Sequence, residues 1–248
     1  MTDEVTLPAA GAASAYAGKL ALITGARRGV GRIIAEHILQ HGGRVAGFAR
    51  GESTIDHPDY FHFQVDIGDP ASVQQGFAAL RKVTDAVHIV VNNAAVLTSQ
   101  YAMIMPPAAA QAMLNTNLMG AFMVSREASK MMRKSKWGRI INIGSMAVSL
   151  EPIGDSMYAA TKAGLASLAN VMAKELAPMN VTCNTLGITA IHTDMLSQLP
   201  QDKIAQVIAG LPIPRFAEAD DILNVVDFLA SERSAYITAQ TIYLGGVN

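Results

Sequence analysis

The chain of 248 residues has a single cysteine, Cys183, so no internal disulfide can form. That usage fits a reducing compartment, and the reading is cytoplasmic. It has almost no net charge, with 19 basic against 20 acidic residues for a formal −1. Such a balance supplies no field for nucleic acid or for an anionic membrane surface. It has no apolar run approaching the roughly 20 residues that would cross a bilayer. The opening segment carries Asp3 and Glu4 and lacks the basic-then-apolar order of a secretion signal. There is no internal repeat, no linker-like stretch and no metal-ligating cluster, so no metal is expected. Cys183, set in the strand-like "NVTCNTL", reads as a small buried residue and not as a nucleophile.

What the chain does contain is an alternation of short apolar runs with longer helical patterns. Strands are expected over 19–25, 44–50, 61–66, 87–93, 139–145, 181–187 and 241–246, and helices near 30–41, 70–82, 107–134, 157–177 and 218–230. The apolar runs are mostly continuous, as in a parallel sheet covered on both faces. The fold expected is α/β, one doubly wound, Rossmann-like parallel sheet of about seven strands with helices on both faces. Residues 1–17 read as a flexible N-terminal tail and 18–248 as a single dinucleotide-binding catalytic domain. The stretch between Arg50 and Phe61, with Gly51 and Pro58, is too short for a full helix, so a loop is expected where a crossover helix normally lies. The Met-rich run from Met103 to Met132 reads as helical core or subunit contact.

Two stretches carry chemistry. "TGARRGVG", Thr24 to Gly31, follows the first strand directly. Gly25 permits a sharp turn, and Gly29 and Gly31, flanking Val30, let backbone and helix approach a pyrophosphate at the helix's positive end. A glycine trio alone is a weak signal; its place at the first βα junction makes it a dinucleotide site. An acidic residue at the end of the second strand would hold the ribose 2′-OH of NAD, but this chain reads Phe48, Ala49, Arg50 there. Arg27, Arg28 and Arg50 suit a 2′-phosphate by geometry and charge, which selects NADP as cofactor. The second stretch is "YAATK", which sets Lys162 one helical turn beyond Tyr158. An ammonium near the phenol favours the phenolate and is expected to lower the tyrosine pKa toward a usable range. Ser145, at the end of a strand, is placed to hold a substrate oxygen.

In order and spacing, "TGARRGVG", "NNAA" (92–95), "NTNLMG" (115–120), "INIGS" (141–145) and "YAATK" resemble the motifs of the short-chain dehydrogenase/reductase family, single-domain type, over residues 18–248. The resemblance implies a catalytic tetrad of Asn117, Ser145, Tyr158 and Lys162. Tyr158 would be the general acid in reduction, and Ser145 would orient the carbonyl. Lys162 would lower the tyrosine pKa and bind the nicotinamide ribose, and Asn117 would hold a water linking Lys162 to solvent. It further implies adenine contacts at Asp66 and Ile67, adenosine-ribose contacts at Asn93, Ala94 and Ala95, and carboxamide contacts at Ile191 and Thr193. Two departures stand out: Ala95 replaces the usual glycine, and Ile188–Thr189 replace a usual Pro-Gly beside the nicotinamide.

Within the family, "GRIINIGSMA" and "SAYITAQTIYLGG" are similar to 3-oxoacyl-acyl-carrier-protein reductases. The short loop after "RVAGFAR" and the run "GLPIPRFAEADDILNVVDFLAS" also resemble 2,3-dihydro-2,3-dihydroxybenzoate dehydrogenases, which carry an acid where Ala49 stands. The resemblance thus implies an NADPH-dependent reductase of a 3-oxoacyl thioester or similar apolar ketone. The alternatives are an NAD(P)-dependent dehydrogenase of a cyclic alcohol or diol, and a non-catalytic nucleotide-binding scaffold. Lys136 matches a basic position that docks acidic carrier proteins, whereas Met179 stands where a second one is usual. A homotetramer or homodimer is the expected assembly. The substrate cleft is expected to be lined by Met146, Ala147, Leu150, Pro152, Ile153 and a lid over 190–212.

Overall fold

The computed structural model describes residues 15–192 and 201–247. Seven parallel strands form one sheet in the order β3-β2-β1-β4-β5-β6-β7. They are β1 Leu20–Thr24, β2 Arg44–Ala49, β3 Tyr60–Gln64, β4 Ile89–Asn92, β5 Gly138–Ile143, β6 Val181–Gly187 and β7 Thr241–Tyr243. The central strands β1, β4, β5 and β6 are buried along their whole length, as their continuous apolar runs require.

Each face carries its own core. On one side α2 (Pro70–Leu80), α4 (Ala121–Ser135) and α6 (Ser156–Leu176) bring Phe77, Val124, Ala128 and Ala169 against Leu22, Phe48, Val90 and Ile140. On the other, α1 (Gly29–Gln40) and α8 (Ala219–Ala230) bring Ile34, Ile38, Ile222 and Val226 against Ile23, Val45, Val91 and Ile141. Cys183 sits in the first core, fully buried, its thiol pushed up to about 12 by burial, which leaves it inert. The methionines divide: Met113, Met131 and Met132 are core, while Met103 and Met119 are exposed.

Three local features differ from, or sharpen, the reading of the sequence. Residues 15–17 of the expected tail belong to the folded body: Tyr16 is buried and its hydroxyl donates to Asp227 Oδ1 at 2.5 Å. The helix expected over 107–134 is interrupted. α3 (Pro107–Met113) passes into a π-helical turn, Leu114–Gly120, before α4 begins. Such turns favour functional positions because the wider ring re-aims side chains, and Asn117 lies at the middle of this one. The connection from β2 to β3 carries no helix, yet the two strands pair in parallel, Gly47 opposite His62 and Phe48 opposite Phe63. The loop takes the helix's place, packing Ile55 against the core.

Candidate active site

The strand order reverses between β1 and β4, and a cleft opens at the carboxyl ends of the strands there. Along one wall lie Gly25, Arg27, Arg28, Gly29 and Val30 from the first βα turn, with Ala49 and Arg50 from the end of β2. Asp66 and Ile67 follow β3, and Asn93, Ala94 and Ala95 follow β4. Tyr158, Lys162 and Ile191 close the far end. The predicted cofactor residues thus converge on one cavity, with two exceptions: Gly31 does not line it but packs behind the turn against Gly25 and Asn93, and Thr193, with the segment 193–200 of the expected lid, lies outside the described residues.

The first turn fits a pyrophosphate. Gly25 has φ +69°, and a Cβ on Gly31 would stand 2.4 Å from the Gly25 carbonyl oxygen, so any side chain there would push α1 off the loop. No side chain caps the N-terminus of α1, so its N–H groups keep their capacity to donate to an anion. Thr24 Oγ1 accepts from the N–H groups of Asn93 and Ala94, both at 3.0 Å, which binds the two loops into one rim. Ala95 is accommodated on this rim. Ile188 lines the cleft, its carbonyl accepting from Met146 N at 2.9 Å, so the loop without Pro-Gly is held by β5's own continuation.

At the far end, Ser145 ends β5's extension and Tyr158 and Lys162 project from the first turns of α6. Ser145 is hydrogen-bonded to the Tyr158 phenol and accepts from Ala147 N at 3.1 Å, which fixes its hydroxyl. Lys162 is buried and donates from Nζ to the Ile143 carbonyl at 2.7 Å. Asn117 brackets Val96, donating to its carbonyl at 2.9 Å and accepting from its N–H at 2.8 Å; it also donates to Thr161 Oγ1 at 3.2 Å. The π-helical turn is therefore anchored to the loop after β4, and through Thr161 to the backbone of Tyr158.

The electrostatics depart from the expectation that Lys162 lowers the tyrosine pKa. Burial dominates and pushes Tyr158 up to about 12; Ser145 lowers it, and Asp155 raises it further. Burial likewise pulls Lys162 down to about 8. The ammonium lies 5.8 Å from the centre of the phenol ring. The direction of the phenol's shift is set by its removal from water and not by the lysine. Tyr158 is thus protonated at neutral pH, with the Ser145 hydroxyl bonded to it.

Several cleft residues were not singled out from the sequence. Phe48, Gly51, Val65 and Val96 line the cavity because they lie at strand ends or loop starts, which periodicity does not mark as functional. Thr116 reaches it from the π-helical turn, and Ile143 and Gly144 from the end of β5; these three lie inside "NTNLMG" and "INIGS", motifs whose other residues carried the assignment.

The sequence model described as Enoyl-(Acyl carrier protein) reductase matches residues 25–248. The 3-oxoacyl-[acyl-carrier-protein] reductase FabG of Escherichia coli (strain K12) is 36% identical over 237 residues, 93% of this chain and 97% of that protein. The enzyme of the same name from Vibrio cholerae is 35% identical over 238 residues, 92% of this chain and 96% of the relative. Among solved structures, the aldohexose dehydrogenase of Thermoplasma acidophilum superposes with a TM-score of 0.87 at 25% identity, covering 95% of this chain and 96% of that one. Reading, cavity and relatives agree: the chain belongs to the short-chain dehydrogenase/reductase family, oxidoreductases that work with a nicotinamide cofactor.

Proposed function

We propose that the protein is an NADPH-dependent reductase that converts the ketone of a 3-oxoacyl thioester, or of a similar apolar carbonyl compound, to a secondary alcohol. The observation that carries this reading is the Ser145–Tyr158 hydroxyl pair, set over an apolar floor at the end of the cleft that begins at the phosphate loop. Two donors converging on one point suit a single carbonyl oxygen. Charge building on that oxygen is met by Ser145, and the proton comes from Tyr158. The cofactor, when bound, supplies hydride. Gly25 to Gly31 would hold its pyrophosphate, Lys162 its nicotinamide ribose, and Arg27, Arg28 and Arg50 its 2′-phosphate. Ala49 places no carboxylate against that phosphate.

The substrate side is apolar. Met113 and Ala147 pack beside Tyr158, with Val96, Leu97, Met105 and Met157 against them. The loops over 97–105 and 150–155 are joined by Gln100 N donating to the Gly154 carbonyl at 2.8 Å. Leu150, Ile153, Tyr101 and Met103 stand exposed on them. Neither loop has a lysine or arginine, while Glu151 and Asp155 are acidic. That setting repels a free carboxylate and accepts an acyl chain. The relatives named for carrier-protein substrates support a substrate delivered on acyl carrier protein, with exposed Lys136 as a contact.

The test is a kinetic comparison of 3-oxoacyl thioesters with cyclic diols, both nicotinamides, both directions. Thioester reduction with NADPH is expected. Efficient NAD-linked diol oxidation without thioester reduction would transfer the protein to the diol dehydrogenases.

A further inference from the structure

The loop that replaces the crossover helix between β2 and β3 has an unusual tether. His62, on the edge strand β3, makes a 2.7 Å hydrogen bond from Nε2 to the Gly51 carbonyl. A carbonyl only accepts, so Nε2 carries the proton and Nδ1 is left as an acceptor. Tyr60 OH, 3.2 Å from Nδ1, then donates to it and fixes that tautomer. His62 faces Gly47 across the β2–β3 ladder, so its ring is referenced to the sheet.

Gly51 is where the loop meets the arginines. It follows Arg50 directly, and a Cβ on it would stand 3.1 Å from Cζ of Arg27, so the Arg27 guanidinium lies against its backbone. Arg27 Nε donates to the Glu52 carbonyl at 3.0 Å, and Thr54 Oγ1 donates to the Arg27 carbonyl at 2.6 Å. Tyr60, His62, Gly51 and Arg27 therefore form one chain of contacts. It runs from the sheet edge to the corner of the cleft that Arg27 and Arg50 line. A helix would hold this segment through its own hydrogen bonds; the loop is held by side chains.

We propose that His62 is a positioning residue for cofactor choice: by clamping the Gly51 carbonyl it preorganises Arg27 and Arg50 for a 2′-phosphate, so that it favours NADPH over NADH without touching either. This rests on the assignment of that corner to the 2′-phosphate. Freed of the clamp, the loop has to be ordered when the phosphate binds, a cost that falls only on ligands that use the arginines. NADH, lacking the phosphate, is indifferent.

The experiment measures binding of NADPH and NADH by nicotinamide fluorescence, and of 2′,5′-ADP and 5′-AMP by calorimetry, to the full chain and its variants. His62→Leu is expected to weaken NADPH and 2′,5′-ADP about fivefold, the scale of one lost hydrogen bond. NADH and 5′-AMP should stay within about twofold. His62→Gln, whose amide nitrogen stands near the position of Nε2, should restore the parent ratio. His62→Asn, whose amide is too short to reach Gly51, should repeat the loss if leucine disturbs the sheet. Equal weakening of all four ligands, or an unchanged affinity for 2′,5′-ADP in both the Leu and Asn variants, would overturn the proposal. A parent that binds 2′,5′-ADP no better than 5′-AMP would overturn it at a different point, by removing the phosphate site itself.

Discussion

Lys162 is held in a place that costs stability, and the cost is measurable. Burial lowers its pKa from 10.5 to about 8. Each unit corresponds to about 1.36 kcal/mol, so the charged form destabilises the fold by about 3 kcal/mol below pH 8. The sign follows from proton counting. Between pH 8 and 10.5 the unfolded chain keeps the lysine proton that the folded chain has lost, so stability rises with pH across that window. Lys162→Met removes the titration but leaves the Ile143 carbonyl without its 2.7 Å donor, so the absolute stability of the variant mixes two effects. The pH dependence separates them. Urea unfolding at fixed protein concentration, followed from pH 7 to 9.5, should show the parent gaining about 2 kcal/mol relative to Lys162→Met. Parallel curves over that range would refute the claim that Lys162 is a buried cation held against its preference.

Three further outcomes are expected. Tyr158→Phe keeps the ring and removes the proton; turnover in carbonyl reduction should fall at least about a hundredfold, with NADPH affinity nearly unchanged, and parent-like turnover would end the assignment of Tyr158 as acid. Ala49→Asp combined with Arg50→Leu should move preference from NADPH to NADH, because the new carboxylate offers a ribose acceptor and repels the phosphate, as read from the ratio of the two dissociation constants; an unchanged ratio would count against the assigned corner. Met119, Phe122 and Val171 are exposed on the π-helical turn, α4 and α6; they are expected to be covered in a homotetramer or homodimer, and sedimentation at micromolar concentration should show no monomer.

Much of this was legible in the sequence because it depends on local order. The buried parallel strands announced themselves as continuous apolar runs, and the phosphate loop as glycines placed directly after the first of them. The missing helix after β2 followed from chain length alone, since ten residues and a proline leave no room for one. Tyr158 and Lys162 were recognisable from a four-residue spacing on a helix that the pattern had already placed.

What the sequence could not carry are quantities set by neighbours distant along the chain. Residues 15–17, read as tail, join the folded body because Tyr16 meets Asp227 of α8. The π-helical turn carries Asn117, whose side chain satisfies both backbone polar groups of Val96, a contact 21 residues away along the chain. The pKa order of the pair was inverted for the same reason. Spacing shows that a lysine can stand near a tyrosine, but only packing sets how far both are removed from water. Here burial raises the phenol, lowers the ammonium and leaves Tyr158 protonated. His62 shows it most plainly: eleven residues separate it from Gly51, nothing in the composition of β3 marks it, and only the parallel pairing of β2 and β3 brings its ring under the loop. The local pattern of residues determined which elements form and where the chemistry begins. Desolvation and contacts across the sheet, properties of the closed fold, decided how the side chains are charged and held.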